Sequence, residues 1–201
     1  MFFVSAYAGA SRLTIVLAGM ALTAIFTAGM NTVLIFNPDA YVNSSGFLVG
    51  SLSGVMVSEL AIPGIMICAG LILAMGQGTR LNILSLGDEG AHALGLNVNC
   101  TRLALLSLAA LLAGAAVCFS GLIGFVGLMI PHIARSLVGS DHRRLIPAAV
   151  LIGAVFMLWA DAAARTLIVN SEVPIGILTA LIGAPFFVYI MVARNYSFKG
   201  N

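Results

Sequence analysis

The sequence predicts an all-α, polytopic membrane protein, and three observations carry that prediction. Of 201 residues, 61% are hydrophobic and only 8% are charged, with a mean hydropathy of +1.10. Soluble domains carry roughly a quarter charged residues. The charges gather in short polar stretches between apolar runs of about 20 residues, the length a helix needs to cross a hydrocarbon core of ~30 Å. Such unbroken runs exclude a β-barrel, whose strands alternate in polarity and last only about 10 residues.

Six runs qualify as candidate spans: Leu13–Phe36, Val57–Gly76, Leu103–Phe119, Gly121–Leu137, Leu145–Ile168 and Val173–Ala193. Asn37-Pro38-Asp39 closes the first, because proline cannot extend a helix and disfavours helix in the residue before it. Tyr41–Ser58 follows as a segment of intermediate polarity, with GSLSG at Gly50–Gly54, suited to a short helix on or in the membrane surface. Pro63 and Pro185 lie inside spans and predict kinks. Pro147 and Pro174 are expected at helix starts, where a missing amide proton is tolerated.

The fourth run is short, glycine-rich and interrupted by Pro131, so a full crossing and a re-entrant or tilted helix are both open. Gly121, Gly124 and Gly127 recur at helical spacing. That predicts a helix face stripped of side chains, for close packing in lipid in preference to lining a narrow pathway.

Charge placement orients the chain. With Arg12 inside, the Gln77–Arg102 insert, the Gly139–Arg144 turn and the C-terminus also face the cytoplasm. Arg12, Arg80, Arg102, Arg135, Arg143, Arg144, Arg194 and Lys199 then lie inside, and only Arg165 lies outside, as the positive-inside bias requires. The net charge of +2 is thus a topology signal and not a nucleic-acid footprint, since no basic stripe with interleaved aromatics accompanies it. MFFVSAYAGASR has no basic residue ahead of its apolar part and makes a poor secretory signal.

The most polar stretch is Gln77–Arg102, held between apolar runs. Its core runs Leu86, Gly87, Asp88, Glu89, Gly90, Ala91, His92, Ala93, Leu94, Gly95 and Leu96, and predicts a short amphipathic helix. Asp88 and Glu89 favour its N-terminal end electrostatically, and Gly95 can supply a left-handed stop. A helix of this kind on a membrane protein is a handle for a soluble partner.

The remaining candidates are weighed against plain structural roles. His132, Asp141 and His142 suggest a metal site superficially, but their spacing matches no strong ligand pattern; capping, loop hydrogen bonds or partner contact are preferred. Cys68, Cys100 and Cys118 fall in separate segments, and Cys68 and Cys118 read as small apolar packing residues. Asp161 and Arg165 share a helix face at i, i+4, either as a neutralising pair or as a functional site, since charges near spans are costly. There is no nucleophile elbow and no phosphate-binding glycine loop with its lysine, so catalysis by this chain is not expected.

Six stretches together carry a resemblance: RLTIVLAGMAL (Arg12–Leu22), GSLSG, LNILSLGDEGAHALGLNV (Leu81–Val98), SGLIGFVGLMIPHIARSLVGSDHRRLIPA (Ser120–Ala148), LWADAAART (Leu158–Thr166) and PIGILTALIGAPFF (Pro174–Phe187). The chain resembles the permease subunits of binding-protein-dependent ABC importers for ferric siderophores, haem and cobalamin. Nearly everything after Arg12 is covered, as one transmembrane permease domain over residues 1–201 with the cytoplasmic coupling insert at 77–102.

The resemblance implies a subunit of the bacterial cytoplasmic (inner) membrane that moves a metal chelate, with a ferric siderophore preferred. It also implies a second permease subunit (the same or a different chain), a cytoplasmic ATPase dimer and an extracytoplasmic substrate-binding protein, with surrounding lipid and no nucleic acid. No cofactor is expected on this chain; ATP-Mg would sit on the ATPase. Leu86–Leu96 would be the coupling helix, and Arg165 would pair with an acidic residue of the binding protein. Family members have about ten spans and the match corresponds to the fifth through tenth, so the N-terminal family spans are expected to be absent here. Two alternatives stand beside this reading. A stand-alone secondary transporter would place ionisable residues along a pathway, and the spans are almost free of them. A structural or inactive membrane remnant would lack an ATPase partner.

Overall fold

The computed structural model describes residues 12–37, 46–167 and 173–198, and among them the regular elements are all helices. The chain divides into two units, residues 1–45 and 46–201. The first holds α1 (Arg12–Phe36), 25 residues of almost wholly apolar sequence. The second opens with a helical turn at 46–49. It continues through α2 (Val57–Gly76), α3 (Gly78–Leu84), α4 (Asp88–Ala93), α5 (Val98–Ser120), α6 (Val126–Val138), α7 (His142–Thr166) and α8 (Ile175–Phe198). The expected helix stop at Pro38-Asp39 and residues 41–45 of the external segment lie outside the described residues, as does Lys199.

Four stretches are long and apolar enough to cross a membrane: Leu17–Phe36, Val57–Gly76, Val98–Ser120 and His142–Thr166. Two further apolar helices are shorter by the same measure, Val126–Val138 and Ile175–Ile190. Of the two readings left open for the fourth run, the helix found is too short for a full crossing on its own. Its helix α6 has 13 residues, about 20 Å at 1.5 Å per residue, because residues 121–124 are non-helical.

Capping moves two other boundaries towards the basic end. Asn97 accepts a hydrogen bond from Cys100 N at 3.1 Å, so α5 starts at Val98, ahead of the apolar run. Asp141 accepts from Arg143 N at 3.0 Å and starts α7 at His142. Side-chain caps of this type satisfy amide protons the helix cannot. Pro147 consequently lies inside α7 and not at its start, and it removes the amide that would reach the Arg143 carbonyl. Pro174 directly precedes α8, as expected, and Pro63, Pro131 and Pro185 lie inside α2, α6 and α8.

Within the second unit α2 packs on α5 and α6 on α7. The buried core is built largely from small residues, including Ala115, Ala134, Ala160 and Ala164, beside Met129, Ile130, Leu145 and Ile175. A Cβ on Gly70 would come within 2.6 Å of Leu112 Cδ2, which marks how closely α2 and α5 approach. Outward, Ile62, Ile65, Ile72, Leu158 and Trp159 are all more than 70% exposed. In water such a surface would be unfavourable by ~25 cal/mol per Å²; against lipid tails the penalty vanishes. Close van der Waals contact between small residues is then what holds the helices together.

At the end opposite the basic loops, three backbone segments meet. Ser51 N donates to Ser120 O (3.0 Å), Leu122 N to Phe47 O (3.0 Å) and Gly176 N to Gly50 O (3.1 Å). Ser120 Oγ donates within its own segment, to Ala116 O at 2.9 Å. A Cβ on Gly121 would strike the Phe47 carbonyl, and one on Gly176 would strike the Val49 carbonyl. Gly121 also has φ +67°.

The predicted glycine face is corrected by this junction. Gly121 caps α5, Gly124 lies in the extended link and only Gly127 is helical. A Cβ at Gly124 or Gly127 would meet nothing within 4 Å. Close approach is instead served by Gly50, Gly121, Gly176 and Gly183, the last lying against Phe125, whose own φ is +65°.

Gly121→Ala should destabilise the fold by about 2 kcal/mol or more, from the left-handed backbone and the clash together. Gly124→Ala should be near neutral. Thermal unfolding of the two purified variants in detergent checks this, and an unchanged melting temperature for Gly121→Ala would refute the junction.

Candidate functional site

The polar insert folds as two short helices joined at glycine. Gln77 ends α2 and begins α3 with φ −89° and ψ 0°, so the chain turns without a loop. Its side-chain oxygen accepts from Arg80 Nη1 at 3.0 Å. Gly87, at φ +93°, caps the N-terminus of α4. At the other end Leu96 N donates to Ala91 O (3.0 Å) and Gly95 N to His92 O (2.9 Å), with Gly95 at φ +77°. This is the paired-carbonyl closure of a Schellman motif, so the left-handed stop expected at Gly95 is present. The expected helix over Leu86–Leu96 is corrected to the six residues Asp88–Ala93; Leu86, Gly87, Leu94, Gly95 and Leu96 form its capping shoulders.

Asp88 does more than favour the helix start. Its Oδ1 accepts from Arg102 Nη2 at 2.7 Å, tying α4 to α5. The pair is solvated, with side chains 61% and 33% exposed, and contributes at most about 1 kcal/mol. Ala91 is fully buried. Leu86, Glu89, His92, Ala93 and Leu94 are exposed, so α4 presents a small, partly apolar knob outward from the helix bundle.

Beneath that knob, α3 is fastened to the start of α7. Asn82 Nδ2 donates to Asp141 Oδ1 at 2.7 Å. The His142 amide donates to Asn82 Oδ1 at 2.9 Å, and the His142 ring Nδ1 lies 2.7 Å from the same oxygen. Arg143 donates from Nε and Nη2 to Thr79 Oγ1 at 3.0 and 2.8 Å. A Cβ on Gly78 would sit 3.0 to 3.1 Å from Arg143 Cγ, Cα and N, so the two segments touch backbone to backbone.

The Asn82 amide, then the Arg143 amide, hold the Asp141 carboxyl below its ordinary value of 3.8. A lowered carboxyl contributes stability above its unfolded value, and loses it only as pH falls through the lowered folded value. Asp141 therefore stays charged and bonded throughout the neutral range.

Of the roles left open by the sequence for these residues (capping, loop hydrogen bonds or partner contact), Asp141 caps α7, while His142 bonds to the Asn82 side chain of α3. His132 is elsewhere, edge-on to Phe186 at 6.5 Å between α6 and α8. Thr79 and Asn82 are not distinguished by the sequence. Their partners stand 59 to 64 residues away along the chain, and no local pattern signals them.

The opposite end carries the second candidate. Arg165 Nε and Asp161 Oδ2 are 2.8 Å apart, one turn from each other on α7, with side chains 47% and 29% exposed. Ser51, Leu52 and Ser53 from the GSLSG segment join Asp161, Ala164, Arg165, Val173 and Ile175 around a cleft of about 10 Å³.

Lipid-facing helices, a backbone junction at one end and a solvated knob at the other define a multi-pass helical membrane protein. The FecCD transport family profile matches residues 1–193, and the chain belongs to that family. The haemin transport system permease protein HmuU of Yersinia pestis is 39% identical over 201 residues, covering 100% of this chain and 60% of the relative. The iron(3+)-hydroxamate import system permease protein FhuB of Bacillus subtilis is 40% identical over 182 residues, 90% of this chain and 47% of the relative. A solved structure described as an inward-facing, metal-chelate type ABC transporter superposes with a TM-score of 0.87 at 34% identity, covering 95% of this chain and 62% of that one. The chain thus spans about half to three-fifths of the length of the proteins it matches.

The distribution of arginines predicts that the α3–α4 insert and the α6–α7 turn face the cytoplasm. With Cys68, Cys100 and Cys118 replaced, Glu89→Cys and Ser140→Cys should react with an impermeant maleimide only after cells are opened. Ser53→Cys should react in intact cells. Labelling of either the Glu89→Cys or the Ser140→Cys variant in intact cells overturns this orientation.

Proposed function

We propose that this chain is a permease subunit of an ABC importer that carries a metal chelate, with a ferric siderophore preferred, across the bacterial cytoplasmic membrane. The chain itself catalyses no reaction. A second permease subunit would complete the pathway, and ATP-Mg would be bound and hydrolysed on a cytoplasmic ATPase dimer. An extracytoplasmic binding protein would deliver the chelate. Family membership supports the transport class, and a relative named for iron(3+)-hydroxamate import supports the siderophore. A relative named for haemin makes haem the second candidate.

The observation that carries the mechanism is the capped knob at α4. Its exposed leucines and small Ala93, between two glycine caps, suit a narrow groove on a partner. In this reading ATP binding draws the two ATPases together, the docked knobs follow, and the permease switches the side to which its cavity opens. Ala93→Asp would put an unpaired charge into that groove, a penalty of several kcal/mol even after relaxation. Uptake of radiolabelled ferric hydroxamate by the whole transporter should fall to near background while the protein remains in the membrane. Normal uptake would show that α4 is not the coupling element.

At the opposite end, the half-exposed Arg165 is proposed to receive a carboxylate of the binding protein, alongside its pair with Asp161. Guanidinium suits a carboxylate geometrically, and a rim charge steers an acidic partner at a salt-dependent rate. Arg165→Glu should weaken binding-protein affinity about tenfold and flatten its salt dependence, as read by titration of the reconstituted transporter. Unchanged affinity and salt dependence would overturn the docking role of Arg165.

A further inference from the structure

We infer that Asn82 is the positioning residue through which the coupling insert moves the transmembrane part of this subunit, by holding α3 to the first turn of α7. The inference rests on the coupling reading above and adds to it a transmission path. Among the described residues, the side-chain hydrogen bonds of Asn82 all cross to the start of α7. One is donated to Asp141 Oδ1, and one is accepted from the His142 amide beside the His142 ring nitrogen. Thr79, one turn earlier, accepts both bonds from Arg143. The near contact of Gly78 with the Arg143 backbone leaves no slack between the two segments.

Other routes out of the insert carry fewer side-chain hydrogen bonds. The knob α4 reaches α5 through the solvated Asp88–Arg102 pair and the short link at 94–97, and α3 follows α2 through the single turn at Gln77. Helix α7, by contrast, is 25 residues long, about 37 Å at 1.5 Å per residue. It ends at the Asp161–Arg165 cleft, so a push on its first turn reaches the far side of the subunit.

Pro147 sharpens the dependence. It deprives the Arg143 carbonyl of its usual partner in the helix, so the first turn of α7 has one ladder bond fewer and leans more on the Asp141 cap and on Asn82. A side chain that fixes this turn to α3 decides whether motion of the insert is transmitted or absorbed there.

The test uses the complete transporter, with its ATPase and binding protein, in proteoliposomes. Both ATP hydrolysis and uptake of radiolabelled ferric hydroxamate are measured. Asn82→Asp replaces the donor facing Asp141 with a second carboxylate. It should lower uptake per ATP hydrolysed about tenfold, a usual size for a coupling change, while the ATPase still co-purifies and hydrolyses ATP. The exchange Asn82→Asp with Asp141→Asn restores one donor and one carboxylate across the contact, and should recover most of the ratio.

An unchanged ratio in Asn82→Asp overturns the inference, and so does a ratio that the exchange fails to restore. Loss of ATPase association also overturns it, because Asn82 would then serve docking or folding. Should Asn82→Asp not reach the membrane, Thr79→Val decides by the same ratio, with a drop expected and no change refuting. Ala93→Asp separates the two readings: if it uncouples while Asn82→Asp does not, only the transmission path is wrong; if it leaves uptake intact, the coupling reading itself fails.

Discussion

Where this chain interrupts its helices at the end opposite the basic loops, the freed amide and carbonyl groups pair with one another, and that constraint organises the rest of the structure. Lipid-exposed irregular backbone is not tolerated; it must find partners within the protein. Segments 46–51, 120–124 and 174–176 solve this together, through Ser51 to Ser120, Leu122 to Phe47 and Gly176 to Gly50. The solution requires backbone to lie on backbone, which glycine alone permits at Gly121 and Gly176. Once these contacts are fixed, the ends of α5, α6 and α8 are fixed with them.

The basic end obeys a different rule. It meets water, and beside the close approach of Gly78 to Arg143 its contacts are side-chain hydrogen bonds and a solvated ion pair. Each is weak by itself, about 0.5 to 1.5 kcal/mol net for a neutral hydrogen bond. Asn82, Thr79, Asp141 and Arg143 gather several of them on one contact, while α4 is defined by its caps, the Asp88 pair and the buried Ala91. One end of the chain is therefore held by backbone, and the other by side chains.

Much of this was legible in the sequence, and the part that was not has a physical reason. Apolar runs gave the helices because lipid rewards length and hydropathy, both of which are local. Gly95 and the Asp88–Glu89 pair gave the limits of the knob because capping is local too. The glycines at Gly121, Gly124 and Gly127 misled, since helical spacing says nothing of whether the helix continues, and here α5 ends at Ser120. Pro147 misled because Asp141 starts α7 earlier than hydropathy alone suggests. Asn82 gave no signal at all: an asparagine in a polar loop is unremarked until the fold brings Asp141 and His142 to it.

The brevity of α6 has a consequence for the surrounding bilayer. A 13-residue helix would cover about two-thirds of a ~30 Å hydrocarbon layer, and it begins just after the non-helical 121–124 link and its hydrogen-bonded neighbours. Helices can tilt to suit a thicker or thinner membrane, but a hydrogen-bonded junction cannot tilt one strand at a time. Lipid thickness thus bears most directly on the junction, and the acyl-chain composition of the host membrane becomes a determinant of how this subunit sits.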